Sequence, residues 1–182
     1  MKELSLNILD VAKNSVSAGA SLIEIFLEEN DTGILTLTIR DNGCGMSEET
    51  LKGVTDPFYT TRTTRKVGMG LPLLKMAAEQ AGGALSISSS TKEGESGTRL
   101  LATFDTKNID FTPIGDIIST VCILIAGSPK IDFDFHDISP KGSVTLRTAE
   151  LRAVLGEVSL AEPEVQTWIK GYLEEQYGIL NN

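Results

Sequence analysis

Two runs of strict alternation constrain this chain most. In SLIEIFLEEN (21–30), Ile23, Ile25 and Leu27 share one face, and in ILTLTIRD (34–41) Leu35, Leu37 and Ile39 do the same. The link NDTG has turn chemistry, so the pair predicts an antiparallel hairpin with one face buried and the other polar. A half-buried sheet has to be covered by something. The second run also ends unusually, in DNGCGM (41–46), an acid and an amide followed by two glycines.

The cover is legible on both sides of the hairpin. Residues 3–18 set Leu4, Ile8, Val11, Ala12 and Ser15 at helical spacing, and Gly19 is a natural stop. Ser47 is placed to cap a short helix, SEETLKGV. Residues 55–68, TDPFYTTRTTRKVG, have no period and read as a loop. GLPLLKMAAEQAGG reads as a helix with Pro72 in its first turn and Gly82 and Gly83 at its end. The strands ALSISSS and TRLLATF follow, joined by TKEGESG.

Up to Phe104 this order predicts an α+β protein, a two-layer α/β sandwich with helices on one face of a mainly antiparallel sheet. Beyond DTKNIDFTP the pattern gives a buried-type helix near 114–127, short strands in KIDFDFHDI and SVTLRT, and helices near 148–155 and 162–177. The expected division is a domain over 1–105 and a small mixed α/β C-terminal appendage of αββα type over 106–182.

Composition narrows the function. With 182 residues and 41% hydrophobic side chains, the chain is large enough for a proper core. The charge of -9 is spread along it, with 10 basic and 13 acidic side chains over 1–104 and 6 and 12 over 105–182. No basic stripe offers counterion release, which argues against a nucleic-acid partner. Cys44 and Cys122 stand alone, as expected in a reducing compartment such as the cytoplasm. The apolar window IISTVCILIA is too short to cross a bilayer, so no membrane partner is expected.

The candidate chemistry lies where polar residues interrupt these elements. Asp41 ends a half-buried strand, and its acceptor-only oxygens suit a donating ligand group such as the exocyclic amine of adenine. Gly43 and Gly45 let the backbone turn and a flat ring approach. Asp10 and Asn14, four apart on a helix, share a face. The amide oxygen suits Mg²⁺, and the carboxylate can orient or deprotonate an attacking group. VGMGLP opens a helix whose free N–H groups favour phosphate, and Thr60, Thr61, Arg62, Arg65 and Lys66 precede it as donors for a lid.

In this order, LDVAKNSVSAGAS resembles the N box of the Bergerat-fold (GHKL) ATP-binding family. DNGCGM is similar to its first glycine box, DPFYTTR to the phenylalanine box, VGMGLPLLKMAAEQAGG to the second glycine box and SGTRLLATF to the closing Gly-Thr strand. The resemblance covers roughly residues 3–104 and is nearest in type to histidine kinase catalytic domains and anti-sigma-factor serine kinases. It implies ATP and Mg²⁺ as ligands, with Asn14 on the metal, Asp41 on the adenine amine, and Gly43 and Gly45 at the adenine floor beside Met46. It also implies Thr98 near the adenine, and Gly68, Gly70, Leu71, Thr61 and Arg62 toward the phosphates.

The family's catalytic base is usually Glu, and Asp10 at the matching position is one methylene shorter. A shift on the order of 1 Å can cost roughly a hundredfold in rate. The expected function is an ATP-Mg-binding regulatory protein that transfers a phosphoryl group to a partner protein, as a kinase or weak ATPase. The alternatives are a nucleotide-gated switch with little catalysis and, third, a MutL-type ATPase fragment. No phosphoacceptor helix precedes the ATP-binding segment, so the acceptor is expected on another protein, and the resemblance leaves room for a homodimer. His136, on a strand, is expected to be structural, Cys44 to be filler, and Trp168 with Tyr172 to pack in the core.

Overall fold

The computed structural model describes residues 3–56 and 69–180. Helix α1 (Leu4–Ser17) is followed by β1 (Leu22–Glu29), β2 (Ile34–Asp41), α2 (Glu48–Gly53), α3 (Gly70–Gln80), β3 (Leu85–Ser90) and β4 (Gly97–Asp105). Then come α4 (Ile117–Gly127), β5 (Asp132–Ser139), β6 (Gly142–Arg147), α5 (Thr148–Leu155) and α6 (Pro163–Leu180). The caps follow the local chemistry: Gly19 and Gly82 end α1 and α3 at φ 74° and 73°, and the Ser47 hydroxyl accepts from the Thr50 amide.

The strands form one six-stranded sheet in the order β3-β4-β2-β1-β5-β6. The β1–β2 hairpin is antiparallel with Ile25 opposite Ile39, as the alternation predicts. On the far side of β1, strand β5 pairs in parallel, Ile25 facing Phe135. The strands assigned to the C-terminal appendage therefore continue the sheet, and β1 lies in its interior.

Register carries the buried positions across the sheet on a single face: Ile87, Leu100, Ile39, Ile25, Phe135 and Leu146 lie in one row. That face and the apolar stripes of α1, α3, α4 and α6 make one core, with Leu4, Ile8, Leu74, Ile169 and Leu173 fully buried. Leu22, Phe26 and Ile34 aside, the other face of β1 and β2 carries polar residues, Glu24, Glu28, Thr36, Thr38 and Arg40, and these helices cover only the first face, the two-layer arrangement expected. The amides of Leu4 and Ser5, orphaned at the start of α1, donate to the Pro113 and Ile114 carbonyls.

Two details concern the C-terminal elements. His136 stacks on Phe26 with ring centroids 4.7 Å apart, a packing role as expected. The Trp168–Tyr172 pair does stack, at 5.4 Å, but Trp168 is 53% exposed, which corrects the expectation of core packing. Val165, Ile169 and Leu173 take the buried stripe of α6, leaving Trp168 on its flank.

Candidate functional site

Alternation along β2 puts Asp41 on the same face as Leu35, Leu37 and Ile39, so its carboxylate enters the layer between sheet and helices. There it is held from two directions. The Ser15 hydroxyl on α1 donates to Oδ2 at 2.5 Å, and the Gly43 amide donates to Oδ1 at 2.9 Å. Each oxygen keeps a second lone pair for a ligand donor. Ser15 is almost completely buried, while Asp41 is half-buried and faces the cleft.

The 41–46 segment is tied to both neighbours. The Cys44 amide donates to the Ala18 carbonyl at the end of α1, and the Met46 amide donates to Ser89 Oγ on β3. Ser89 Oγ also bonds the Gly97 carbonyl and Thr98 Oγ1. The glycines permit this close packing. A Cβ on Gly43 would lie 2.9 Å from that of Ala18, and one on Gly45, at φ 70°, would run into the Ser90 carbonyl.

These contacts frame a cleft of about 640 Å³. Its walls are apolar, from Val11, Ile39, Val54, Leu71, Ile87 and Leu100, with Asp41, Thr98 and Asn14 as polar groups. Gly45, Met46 and Cys44 line it as well. An acceptor-only group and a hydroxyl that are register partners in an apolar cleft suit a flat heterocycle with a donating edge.

Asn14, exposed, lines the cleft one turn from Asp10. Asp10 stands where α1 meets α3: a Cβ on Gly70 would lie 2.9 Å from its Cβ and 3.6 Å from Oδ2. Among the described residues no side chain caps the N-terminus of α3, whose first turn carries the Gly70 and Leu71 amides as donors suited to an anionic group. Thr61, Arg62 and Gly68 lie outside the described residues.

The structure thus gathers Asn14, Asp41, Gly45, Met46, Leu71 and Thr98 around one cleft, with Gly43 bonded to Asp41 and Gly70 beside Asp10. Ser15 and Ser89 escaped the sequence reading. Ser15 was legible only as a polar residue on the buried stripe of its helix, and Ser89 carries no local signal because its partners are distant in the chain.

The family model described as histidine kinase-, DNA gyrase B- and HSP90-like ATPase matches residues 1–108. The C4-dicarboxylate transport sensor protein DctB of Pseudomonas aeruginosa is 31% identical over 96 residues, which is 52% of this chain. The chain spans only 16% of that relative's length. Among solved structures, the N-terminal domain of a DNA repair protein superposes with a TM-score of 0.59 at 19% identity, over 81% of this chain and 53% of that one. The Aquifex aeolicus MutL ATPase domain, solved with ADP, superposes at 0.54 and 12% identity, over 85% and 69%. At those coverages the likeness of fold extends beyond residue 108.

Proposed function

The chain belongs to the family of histidine kinase-, DNA gyrase B- and HSP90-like ATPases, and on that premise we propose that its cleft binds ATP with Mg²⁺ and that the protein passes the γ-phosphoryl group to a partner protein. The observation that carries the reading is the pinned Asp41 carboxylate in an apolar cleft that Asn14 and Leu71, at the start of α3, also line. The adenine amine donates to Asp41, with Thr98 beside it, between walls that include Ile39, Met46 and Leu100. The phosphates meet the first turn of α3 at Gly70 and Leu71, joined by Gly68, Thr61 and Arg62 from the preceding segment.

The donor set fits a magnesium ion shared with phosphates. Asn14, an exposed residue, brings a side-chain amide to the cleft, and no cluster of three or more His, Cys, Asp or Glu among the described residues is arranged to cage a metal alone. When bound, the ion neutralises phosphate charge. Asp10, beside α3, orients the acceptor hydroxyl and takes its proton. Residues 106–182, acidic and continuous with the sheet, select the partner in this reading.

Asp10 favours a second reading, in which nucleotide binding gates partner docking with little catalysis. Labelled ATP-Mg²⁺ incubated with the protein, alone and with proteins encoded beside it, separates the two when binding, hydrolysis and label transfer are scored individually. Transfer to a partner supports the kinase reading. Binding without transfer, and no gain in turnover in Asp10→Glu, supports the switch. Absence of nucleotide binding sinks both.

A further inference from the structure

A second pocket, of about 430 Å³, opens on the face of the sheet away from the helices. It stands back to back with the nucleotide cleft: Asp41 and Thr98, register partners on β2 and β4, border both. One residue along each strand, Arg40 and Arg99 are also register partners, so both guanidinium groups leave the sheet side by side on this face.

Like charges directly opposite one another on neighbouring strands destabilise a sheet. The chain has a net charge of -9, yet its carboxylates quench this pair only in part. Glu24 lies 3.6 Å from Arg40, and Glu95 in the same pocket is engaged by Lys92 at 3.0 Å. Arg99 has no carboxylate partner among the described residues. Ser88, opposite Arg99 on β3, and Ser90 add hydroxyls at the pocket wall. Two planar, permanently charged forks, Arg99 unpaired among the described residues and Arg40 shared with Glu24, together with two hydroxyls match the oxygens of a tetrahedral anion.

We propose that this pocket is a binding site for a phosphate-class oxoanion, held by Arg99 and Arg40 with Ser88 and Ser90. The ligand is free phosphate or the phosphoryl group of a small phosphomonoester, and the site is separate from the nucleotide cleft. The proposal does not depend on the function proposed above.

The test titrates inorganic phosphate into the full chain at constant ionic strength, balanced with sodium chloride, while following the Arg Nε–H and the Ser88 and Ser90 amide resonances. Saturable shifts are expected, weakened about tenfold or more in Arg99→Gln and in Arg40→Gln. Asn14→Ala, which alters only the nucleotide cleft, is expected to retain them. A parallel titration with glycerol phosphate identifies the source: equal binding means a phosphomonoester is accepted, and loss of binding restricts the site to the free ion. Arg99→Gln relieves the like-charge contact, so its melting temperature in phosphate-free buffer should equal or exceed that of the parent. If it falls instead, Arg40→Gln decides the matter. Shifts reproduced by chloride alone, shifts that persist in both arginine variants, or shifts abolished by Asn14→Ala overturn the proposal.

Discussion

Ser15 and Asp41 are 26 residues apart in the chain and joined by a 2.5 Å hydrogen bond that fixes a carboxylate in the wall of the cleft. Without the hydroxyl, Asp41 keeps only the Gly43 amide and regains torsional freedom. Ser15→Ala is predicted to weaken ATP binding by about tenfold, the equivalent of about 1.4 kcal/mol, while leaving the fold intact. Isothermal titration calorimetry checks this, and an unaltered dissociation constant would show that Asp41 needs no support from α1.

Asp41→Asn tests the acceptor itself. It exchanges an acceptor-only group for one that also presents N–H donors, opposing the adenine amine. A loss of nucleotide affinity of roughly tenfold to a hundredfold is expected, as for a hydrogen bond to a charged group. Fluorescent-nucleotide competition measures it, and full retention of affinity would place the base elsewhere.

Gly45 is constrained twice, by a φ of 70° and by the Ser90 carbonyl lying where a Cβ would go. Gly45→Ala should therefore destabilise the protein by about 1–3 kcal/mol and loosen the 41–46 segment. Urea denaturation should show the loss. A midpoint matching the parent would mean that the segment relaxes freely and that Gly45 is there for the ligand alone.

On α6, Tyr177 donates to Asp137 Oδ2 at 2.6 Å. Burial pushes the Asp137 carboxyl above the usual carboxylate range, and Glu29 adds to the rise while the Tyr177 bond opposes it. A folded-state pKa above the unfolded one contributes stability that is fully present below the unfolded pKa and is lost as pH rises through the folded value. Asp137→Asn keeps an acceptor for Tyr177 and removes that titration. Its melting temperature relative to the parent should rise as pH increases from about 4 toward neutrality. A difference independent of pH would refute the linkage.

The parallel β1–β5 pair carries a prediction about the division of the chain. Cutting after residue 108 turns β1 into an edge strand and removes the carbonyls of Pro113 and Ile114 from the start of α1. The 1–108 fragment is predicted to aggregate or to melt more than about 8 °C below the full chain. Equal melting temperatures, measured by circular dichroism, would show that the first 108 residues form an independent unit.

Much of this was determined by the sequence alone, because it depends on near neighbours. Alternation in 21–41 specified the hairpin and its buried face, glycines and caps placed the helix ends, and the boxes named Asn14, Asp41 and Leu71, which line one cleft. Periodicity records which face of an element is apolar, not which element will meet it. Tertiary structure alone therefore decided that β5 lies parallel to β1, that Trp168 stays on a flank, and that Arg40 meets Arg99. It also decided that Ser15, read along the chain as one more position on a helical stripe, is the donor that holds Asp41. Each of these depends on register between segments distant in sequence, and register is set by packing of the whole core rather than by any local run of residues.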